Sequence, residues 1–114
     1  MKRGGLMAGL KLYEIFSGDE LKIAEKIKQR RLQMIVHSSI YYVFNDNVVS
    51  DNTWSKWGLQ LKDLQEKYPD ISNKVDFAEE FKNWDASTGF NLPINEDWVI
   101  KKAQELISMK GVEK

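Results

Sequence analysis

The sequence predicts a compact all-α domain of about four main helices, of which the first two form an antiparallel helical hairpin. Three observations support this fold class. Apolar residues recur at three- and four-residue steps, clusters of turn-forming residues separate these stretches, and a chain of 114 residues can bury a core without disulfides. Extended segments are expected at most near residues 48–49 and 91–92.

The first predicted helix begins near residue 19 and ends near Phe44. Ser17 or Asp19 can cap its first turn, and the Asn-Asp-Asn sequence at 45–47 stops it because these side chains compete for backbone hydrogen bonds. The apolar residues at helical spacing are Leu21, Ile23, Ala24, Ile27, Leu32, Ile35, Val36, Ile40 and Val43.

The second predicted helix begins at Ser50 or Asp51, either of which suits a helix N-cap. It ends at Tyr68-Pro69, since proline disfavours helical geometry in the residue before it. Its apolar face consists of Trp54, Trp57, Leu61 and Leu64.

The remaining chain predicts two more helices around an irregular connection. A third helix is expected from Asn73 to Trp84, where apolar and aromatic residues form a stripe, and the segment from Asp85 to Asn95 is expected to cross the surface without helical structure. A last helix from Glu96 to Met109 ends before Gly111. Its inward residues are predicted to be Trp98, Val99, Ala103, Leu106 and Ile107.

The domain organisation follows from these elements. We expect a flexible N-terminal extension at residues 1–16, a single helical domain at 17–110 and a C-terminal tail at 111–114. The opening MKRGGLMAGL is too short and too glycine-broken for a signal peptide or a membrane span. Cysteine is absent, which removes thiolate chemistry and fits a reducing compartment, so a cytoplasmic location is expected.

Charge composition argues against two classes of partner. Seventeen basic residues balance seventeen acidic ones, so the chain as a whole should attract neither nucleic acid nor an anionic membrane. A basic cluster in the first helix is predicted to form a solvated face, with a weak phosphate contact as the alternative. Its members are Lys22, Lys26, Lys28, Arg30 and Arg31.

Polar and aromatic side chains flank the junction between the first two helices. His37, Tyr41 and Tyr42 end one helix, and Asp51 and Trp54 begin the next, so a hairpin should bring them to a shared hollow. Each also has a structural interpretation. His37 is either a general base near neutral pH or an ordinary hydrogen-bonded histidine. The two tyrosines either contact a ligand or pack in the core. The Asp51 carboxylate either binds a ligand or stabilises the start of the helix.

Other candidate sites are weaker. Asp85, Ser87, Thr88 and Gly89 can bind an anion, but the same residues are typical of a structural turn. The four tryptophans indicate either a core or an exposed recognition surface. One histidine and no cysteine leave only scattered carboxylates, so no metal site is predicted.

The motifs H-x-x-x-Y-Y-V, S-D-x-x-aromatic and L-x-x-L-x-x-x-Y-P, from His37 to Pro69, resemble the N-terminal helical domain of bacterial NAD-dependent DNA ligases. In that family the domain closes over the nicotinamide mononucleotide half of NAD. The chain also resembles short ligase-related proteins of phages of Gram-positive bacteria, through VHSSIYY, FKNWDASTGFNLP and the terminal helix.

The resemblance implies roles for particular residues. Tyr41 and Tyr42 match the aromatic pair near the nicotinamide, and Asp51 matches the aspartate that hydrogen bonds to the mononucleotide. Two positions depart from the family. Trp54 replaces a tyrosine, so an indole N–H stands in for a hydroxyl, and Ser55 replaces an aspartate, which removes one carboxylate.

Ligation by this chain alone is not expected. In the ligases a lysine of a K-x-D-G motif carries the adenylate, whereas no lysine here is followed by x-Asp-Gly, and 114 residues leave no room for the other ligase domains. Our first hypothesis is a non-enzymatic phage or prophage accessory protein that binds a host protein. The second is a binding module for nicotinamide mononucleotide, NAD or a related nucleotide. A hydrolase or transferase would need an acid, a base and a nucleophile that the sequence does not display.

Overall fold

The computed structural model describes residues 11–112 and is all-helical over that range, with no β-strand there. The described helices are α1 (Leu12–Ile15), α2 (Gly18–Tyr42), α3 (Asp51–Lys67), α4 (Pro69–Ser72) and α5 (Asp97–Val112). The long helix α2 lies at the centre, because it packs against both α3 and α5. The all-α fold and the α2–α3 hairpin are therefore confirmed, with three long helices and two short ones. None of the helices between residues 11 and 112 combines the length and the apolar character needed to cross a membrane.

The ends of the hairpin helices lie within two residues of the predicted positions, and local chemistry explains both ends of the connection. Asn45 adopts a left-handed backbone conformation with φ of 53°, which α2 cannot continue through. At the start of α3, the Ser50 hydroxyl accepts a hydrogen bond from the backbone N–H of Thr53 at 3.1 Å. Ser50 is thus the N-cap, and Asp51 is the first residue of the helix.

The core lies where α2, α3 and α5 meet, and it includes residues from outside the long helices. Its buried members include Phe16, Ala24, Ile27, Met34, Ile35, Leu61, Val75, Phe81, Leu92, Ile94 and Val99. Phe16 precedes α2, and α1 contacts α2. Residues 11–16 of the predicted flexible extension are therefore folded onto the domain, whereas the predictions for residues 1–10 and 113–114 lie outside the described residues.

The predicted third helix, Asn73 to Trp84, is wrong. A series of turns follows the short helix α4, and Phe77 has a φ of 70°, a left-handed conformation that interrupts any helix. The carbonyl oxygens of Ser72, Val75 and Asp76 instead converge on the guanidinium of Arg31. A tertiary interaction therefore overrides the helical spacing of the apolar residues.

Arg31 corrects a second prediction, because this member of the basic cluster is only 1% exposed and does not lie on a solvated face. Its guanidinium accounts for five hydrogen bonds, to the three carbonyls, to Gln65 and to the Ser72 hydroxyl, and it lies over the Phe81 ring. Burial lowers the pKa of Arg31 to about 10, although the charges of Glu80 and Asp76 act in the opposite direction.

The connection over residues 85–95 is irregular as predicted, but it does more than cross the surface. Leu92 and Ile94 are buried in the core, and the Ser39 hydroxyl donates a hydrogen bond to the carbonyl of Ile94 at 2.8 Å. The last helix continues through Gly111 instead of ending before it. Trp98, predicted to face inward, remains 38% exposed and stacks on Phe77.

Candidate functional site

A cleft of about 230 Å³ opens where the end of α2 meets the start of α3. Two further segments complete it, the α2–α3 connection and part of the 85–95 connection. The lining residues are His37, Ser38, Tyr41, Tyr42, Asn47, Val48, Val49, Asp51, Trp54, Ser55, Ser87, Thr88 and Gly89. All five residues predicted from the sequence are among them, so the hairpin brings them together as expected. Their role in binding remains a prediction.

The two tyrosines form one wall of the cleft and remain accessible to a ligand. Tyr41 is 55% exposed and Tyr42 is 41% exposed. Their rings meet edge to face, with centroids 4.8 Å apart, and Tyr42 makes a similar contact with Phe90 at 5.3 Å. The Tyr42 hydroxyl shares a hydrogen bond with the Thr88 hydroxyl at 2.8 Å. Tyr42 is therefore held in place by the 85–95 connection, while much of the Tyr41 side chain faces solvent.

Asp51 and Trp54 form the opposite wall, on the first turn of α3. Because the Ser50 hydroxyl caps the helix, the exposed Asp51 carboxylate is not needed for that hydrogen bond. The Trp54 ring packs edge to face on Trp84, with centroids 6.2 Å apart. Trp84 in turn donates its indole N–H to the carbonyl of Thr88 at 2.7 Å. This series of contacts ties α3 to the third wall of the cleft.

Two buried polar atoms of α2 lack hydrogen-bond partners among the described residues, and both belong to residues that line the cleft. They are Nδ1 of His37 and Oγ of Ser38. Such atoms are uncommon in folded proteins and favour a ligand, a bound water or a local movement as their partner. Among the described residues, Nδ1 of His37 therefore lacks the hydrogen bond that an ordinary structural histidine would make there.

Gly89 explains why the Ser38 hydroxyl is covered. A Cβ added at Gly89 would overlap Ser38 Oγ and would lie 2.6 Å from Ser38 Cβ. Only a residue without a side chain allows the 85–95 connection to approach α2 so closely. The Ser38 side chain, which is only 2% exposed, thus lies between α2 and this third wall.

The charge of the cleft comes from few groups. Asp51 is the one carboxylate among the described lining residues, and none of them is a lysine or an arginine. Burial lowers the pKa of His37 from its usual value of 6.5, which keeps the imidazole neutral at pH 7. Lys110 approaches the carbonyl of Asn47 at 2.8 Å, but its charge is compensated by Asp46 at 2.7 Å. The described lining therefore carries a formal charge close to −1 at neutral pH.

Across residues 11–112 no group of three or more histidine and acidic side chains is arranged to hold a metal ion. The 85–89 turn, for which anion binding and a structural role are the alternatives, is organised internally, because the Asp85 carboxylate accepts hydrogen bonds from the backbone N–H and the hydroxyl of Ser87. These contacts lower the pKa of Asp85.

Two parts of the site were not predicted from the sequence. These are the 87–89 segment, which lies beside the hairpin, and Ser38, which is one of two adjacent serines on α2. Gly89, in a segment rich in turn residues, was the available signal for a close backbone approach, but the partner of that approach lies 51 positions away in the sequence.

Comparison with known proteins gives a partial similarity. The chain is 33% identical to a DNA ligase of Bacteroides fragilis over 54 residues, which represent 47% of this chain and 8% of that ligase. No protein-family model and no solved structure matches the chain. The similarity supports a DNA ligase-related region within the chain, which corresponds to a small part of the length of that enzyme.

Proposed function

We propose that this chain is a ligase-related helical domain that binds nicotinamide mononucleotide, or the same half of NAD, without itself catalysing a reaction. The observation that carries the proposal is the convergence of Tyr41, Tyr42, Asp51 and Trp54 on one cleft. These are the positions at which the resemblance to NAD-dependent DNA ligases implies mononucleotide contacts. The partial similarity to a DNA ligase supports the same assignment.

The residues in the cleft suit a nicotinamide ring. An exposed tyrosine ring offers a stacking surface, and an exposed carboxylate can accept hydrogen bonds from the ribose hydroxyls or the carboxamide. His37 and Ser38 also line the cleft, but their Nδ1 and Oγ atoms, which lack partners among residues 11–112, are buried, so a ligand would reach them only after a local movement. The absence of a K-x-D-G lysine supports binding without adenylate transfer.

A titration followed by amide and indole NMR resonances tests the proposal. Nicotinamide mononucleotide or NAD should shift resonances of residues 37–55 and 87–89, and Asp51→Asn should weaken binding by about two- to fivefold, as expected for loss of an exposed charged contact. Asp97→Asn is the matched control, because Asp97 is the exposed first residue of α5 and lies outside the cleft. Unchanged spectra at millimolar ligand would reject the proposal.

A second candidate function is supported by a different observation. Tyr41, Tyr42 and Phe90 form a continuous aromatic surface, in which Phe90 is 62% exposed. Aromatic residues of this kind are enriched at protein interfaces. We therefore also propose that the chain, as a phage or prophage accessory protein, binds a host protein through this surface. Capture of one reproducible partner from host lysate, lost in Phe90→Ala but retained in Asp51→Asn, would favour this function over nucleotide binding.

A further inference from the structure

We infer that the end of α5 positions the α2–α3 connection, which forms one side of the cleft, and that Lys110 is the positioning residue in this contact. Among the described lining residues none belongs to α5, so the helix acts on the cleft through the connection. The inference concerns the geometry of the cleft, and it rests on the proposed function only where ligand binding is measured.

The ammonium group of Lys110 reaches the connection from a helix more than sixty positions later in the chain. Its Nζ atom donates a hydrogen bond to Asp46 Oδ1 at 2.7 Å and another to the backbone carbonyl of Asn47 at 2.8 Å. The same Asp46 oxygen accepts a hydrogen bond from the backbone N–H of Asn47 at 2.7 Å. One cation therefore holds two successive residues, the second of which lines the cleft.

A small apolar cluster holds the same connection beside α5. Its buried members are Val36, Ile40 and Ala103, and the partly buried side chains that pack against them are Phe44, Val48, Leu106 and Ile107. The first two of these partly buried residues belong to the connection, and the last two belong to α5. Val48 also lines the cleft. Polar and apolar contacts thus act on two adjacent lining residues, Asn47 and Val48.

The connection depends on such contacts because residues 43–50 contain no helix or strand that would fix their position. Asn45 turns the chain away from α2 with its φ of 53°, and the backbone N–H of Asp46 donates to the carbonyl of Ile40 at 3.1 Å. A segment without regular structure takes its position from the groups that it contacts. The contacts with α5 therefore determine where Asn47 and Val48 lie relative to the rest of the cleft.

The alternative is an ordinary surface ion pair, which contributes little to a protein. The Lys110 and Asp46 side chains are 39% and 35% exposed, so a small effect is expected. The geometry differs from that of a simple pair, however, because the same ammonium group also bonds to a backbone carbonyl. The hydrogen bond from Lys110, together with the one from the backbone of Asn47, lowers the pKa of Asp46.

Hydrogen exchange in Lys110→Met tests the inference without a ligand. The variant keeps an unbranched side chain but loses the ammonium group, so the protection factors of the Asp46 and Asn47 amides should fall about two- to fivefold. The pKa of Asp46, followed by the carboxyl carbon resonance, should rise toward its ordinary value of 3.8. Lys110→Arg retains a cation and should restore the protection. Lys102→Met is the matched control, because this exposed α5 lysine pairs with Glu105 at 3.2 Å on its own helix.

A second variant separates the contact from the stability of the end of α5. Asp46→Asn leaves α5 unchanged and removes the charged acceptor, so it should also lower the protection of the connection. If Lys110 acts through this contact, the double variant should lose less protection than the sum of the two single losses. Additive losses would mean that Lys110 acts elsewhere, and they would overturn the inference.

Titration with nicotinamide mononucleotide then measures the consequence for binding. Lys110→Met should weaken binding about two- to fivefold, whereas Lys110→Arg and Lys102→Met should bind as wild type does. Because coupling between two sites is reciprocal, the mononucleotide should also raise the protection of the Asp46 and Asn47 amides in the wild-type protein.

Exchange and binding decide separate questions. Unchanged protection in Lys110→Met, or an equal loss in Lys102→Met, overturns the inference whether or not the mononucleotide binds. If the mononucleotide binds Lys110→Met as tightly as wild type, the connection does not act on the ligand, so the inference is overturned and the proposed function stands. If the mononucleotide binds neither protein while protection falls as expected, the proposed function is overturned and the positioning by α5 stands.

Discussion

Buried polar groups of α2 have hydrogen-bond partners outside the cleft lining and lack them at the cleft. Outside the cleft lining, Arg31 makes five hydrogen bonds, and Ser39 donates one to the carbonyl of Ile94. Near the end of α2, at the cleft, His37 Nδ1 and Ser38 Oγ have no partner among the described residues. Polar groups that are satisfied internally stabilise the fold, whereas unsatisfied groups beside a cleft leave room for a ligand, a bound water or a local movement to supply the partner. The difference separates the structural role of the helix from its candidate binding role.

The largest effect is expected for Arg31→Met. The change leaves the carbonyls of Ser72, Val75 and Asp76 buried without their donor, so the free energy of unfolding should fall by about 3 kcal/mol or more. Urea unfolding measures this loss. The adjacent Arg30→Met is the control, since its hydrogen bonds to Gln60 and Gln33 are less buried and should contribute about 1 kcal/mol or less. Equal losses in both variants would contradict a special role for Arg31.

Gly89→Ala should have the next largest effect, because its Cβ would overlap the Ser38 hydroxyl. We expect a loss of about 1–3 kcal/mol in the free energy of unfolding, together with weaker ligand binding as the third wall moves away from α2. Gly58→Ala is the control, since its Cβ would lie 3.3 Å from the Trp84 side chain and 3.6 Å from those of Ala86 and Met34, without overlap, and alanine favours the helix. A Gly89→Ala protein with unchanged stability and binding would show that the close approach is not required.

The adjacent serines on α2 provide a direct test of the comparison. Ser39→Ala leaves the carbonyl of Ile94 without its donor and should reduce the free energy of unfolding by about 1–2 kcal/mol. Ser38→Ala removes a buried hydroxyl that has no partner among the described residues, so its stability should be unchanged or slightly higher. If the hydroxyl contacts a ligand, Ser38→Ala should still weaken binding. Thermal unfolding and ligand titration of both variants distinguish these effects, and a larger stability loss for Ser38→Ala would refute the contrast.

The smallest effect concerns the pH dependence of stability. Burial lowers the pKa of His37 in the folded protein below 6.5, its usual value. As the pH falls below 6.5, the unfolded chain takes up this proton before the folded chain does, so the His37 contribution to stability is lost. Above that pH both states are neutral and the contribution is complete. Thermal unfolding at a series of pH values should show a smaller decrease on acidification for His37→Gln than for wild type; the same slope in both would argue against a buried neutral imidazole.

Local sequence patterns were sufficient to predict the hairpin of α2 and α3. Helical spacing of apolar residues, the Asn-Asp-Asn stop and the Ser50 cap are short-range features, so the bounds of α2 and α3 and the convergence of Tyr41, Tyr42 and Asp51 could be predicted. The resemblance to the ligases added the expected ligand. The prediction of a third helix failed for the opposite reason. Carbonyl oxygens in and just before that segment accept hydrogen bonds from the guanidinium of Arg31, which lies on another helix.

By itself, the sequence determined the helical class, the hairpin and which side chains lie at its junction, since these follow from chemistry within a few neighbouring residues. Tertiary structure decided that Arg31 is buried, that the 87–89 segment closes the cleft and that Ser38 is left without a partner among the described residues. The physical reason is that hydrogen-bond satisfaction depends on groups brought together from distant parts of the chain, and their pairing is set only when the core packs.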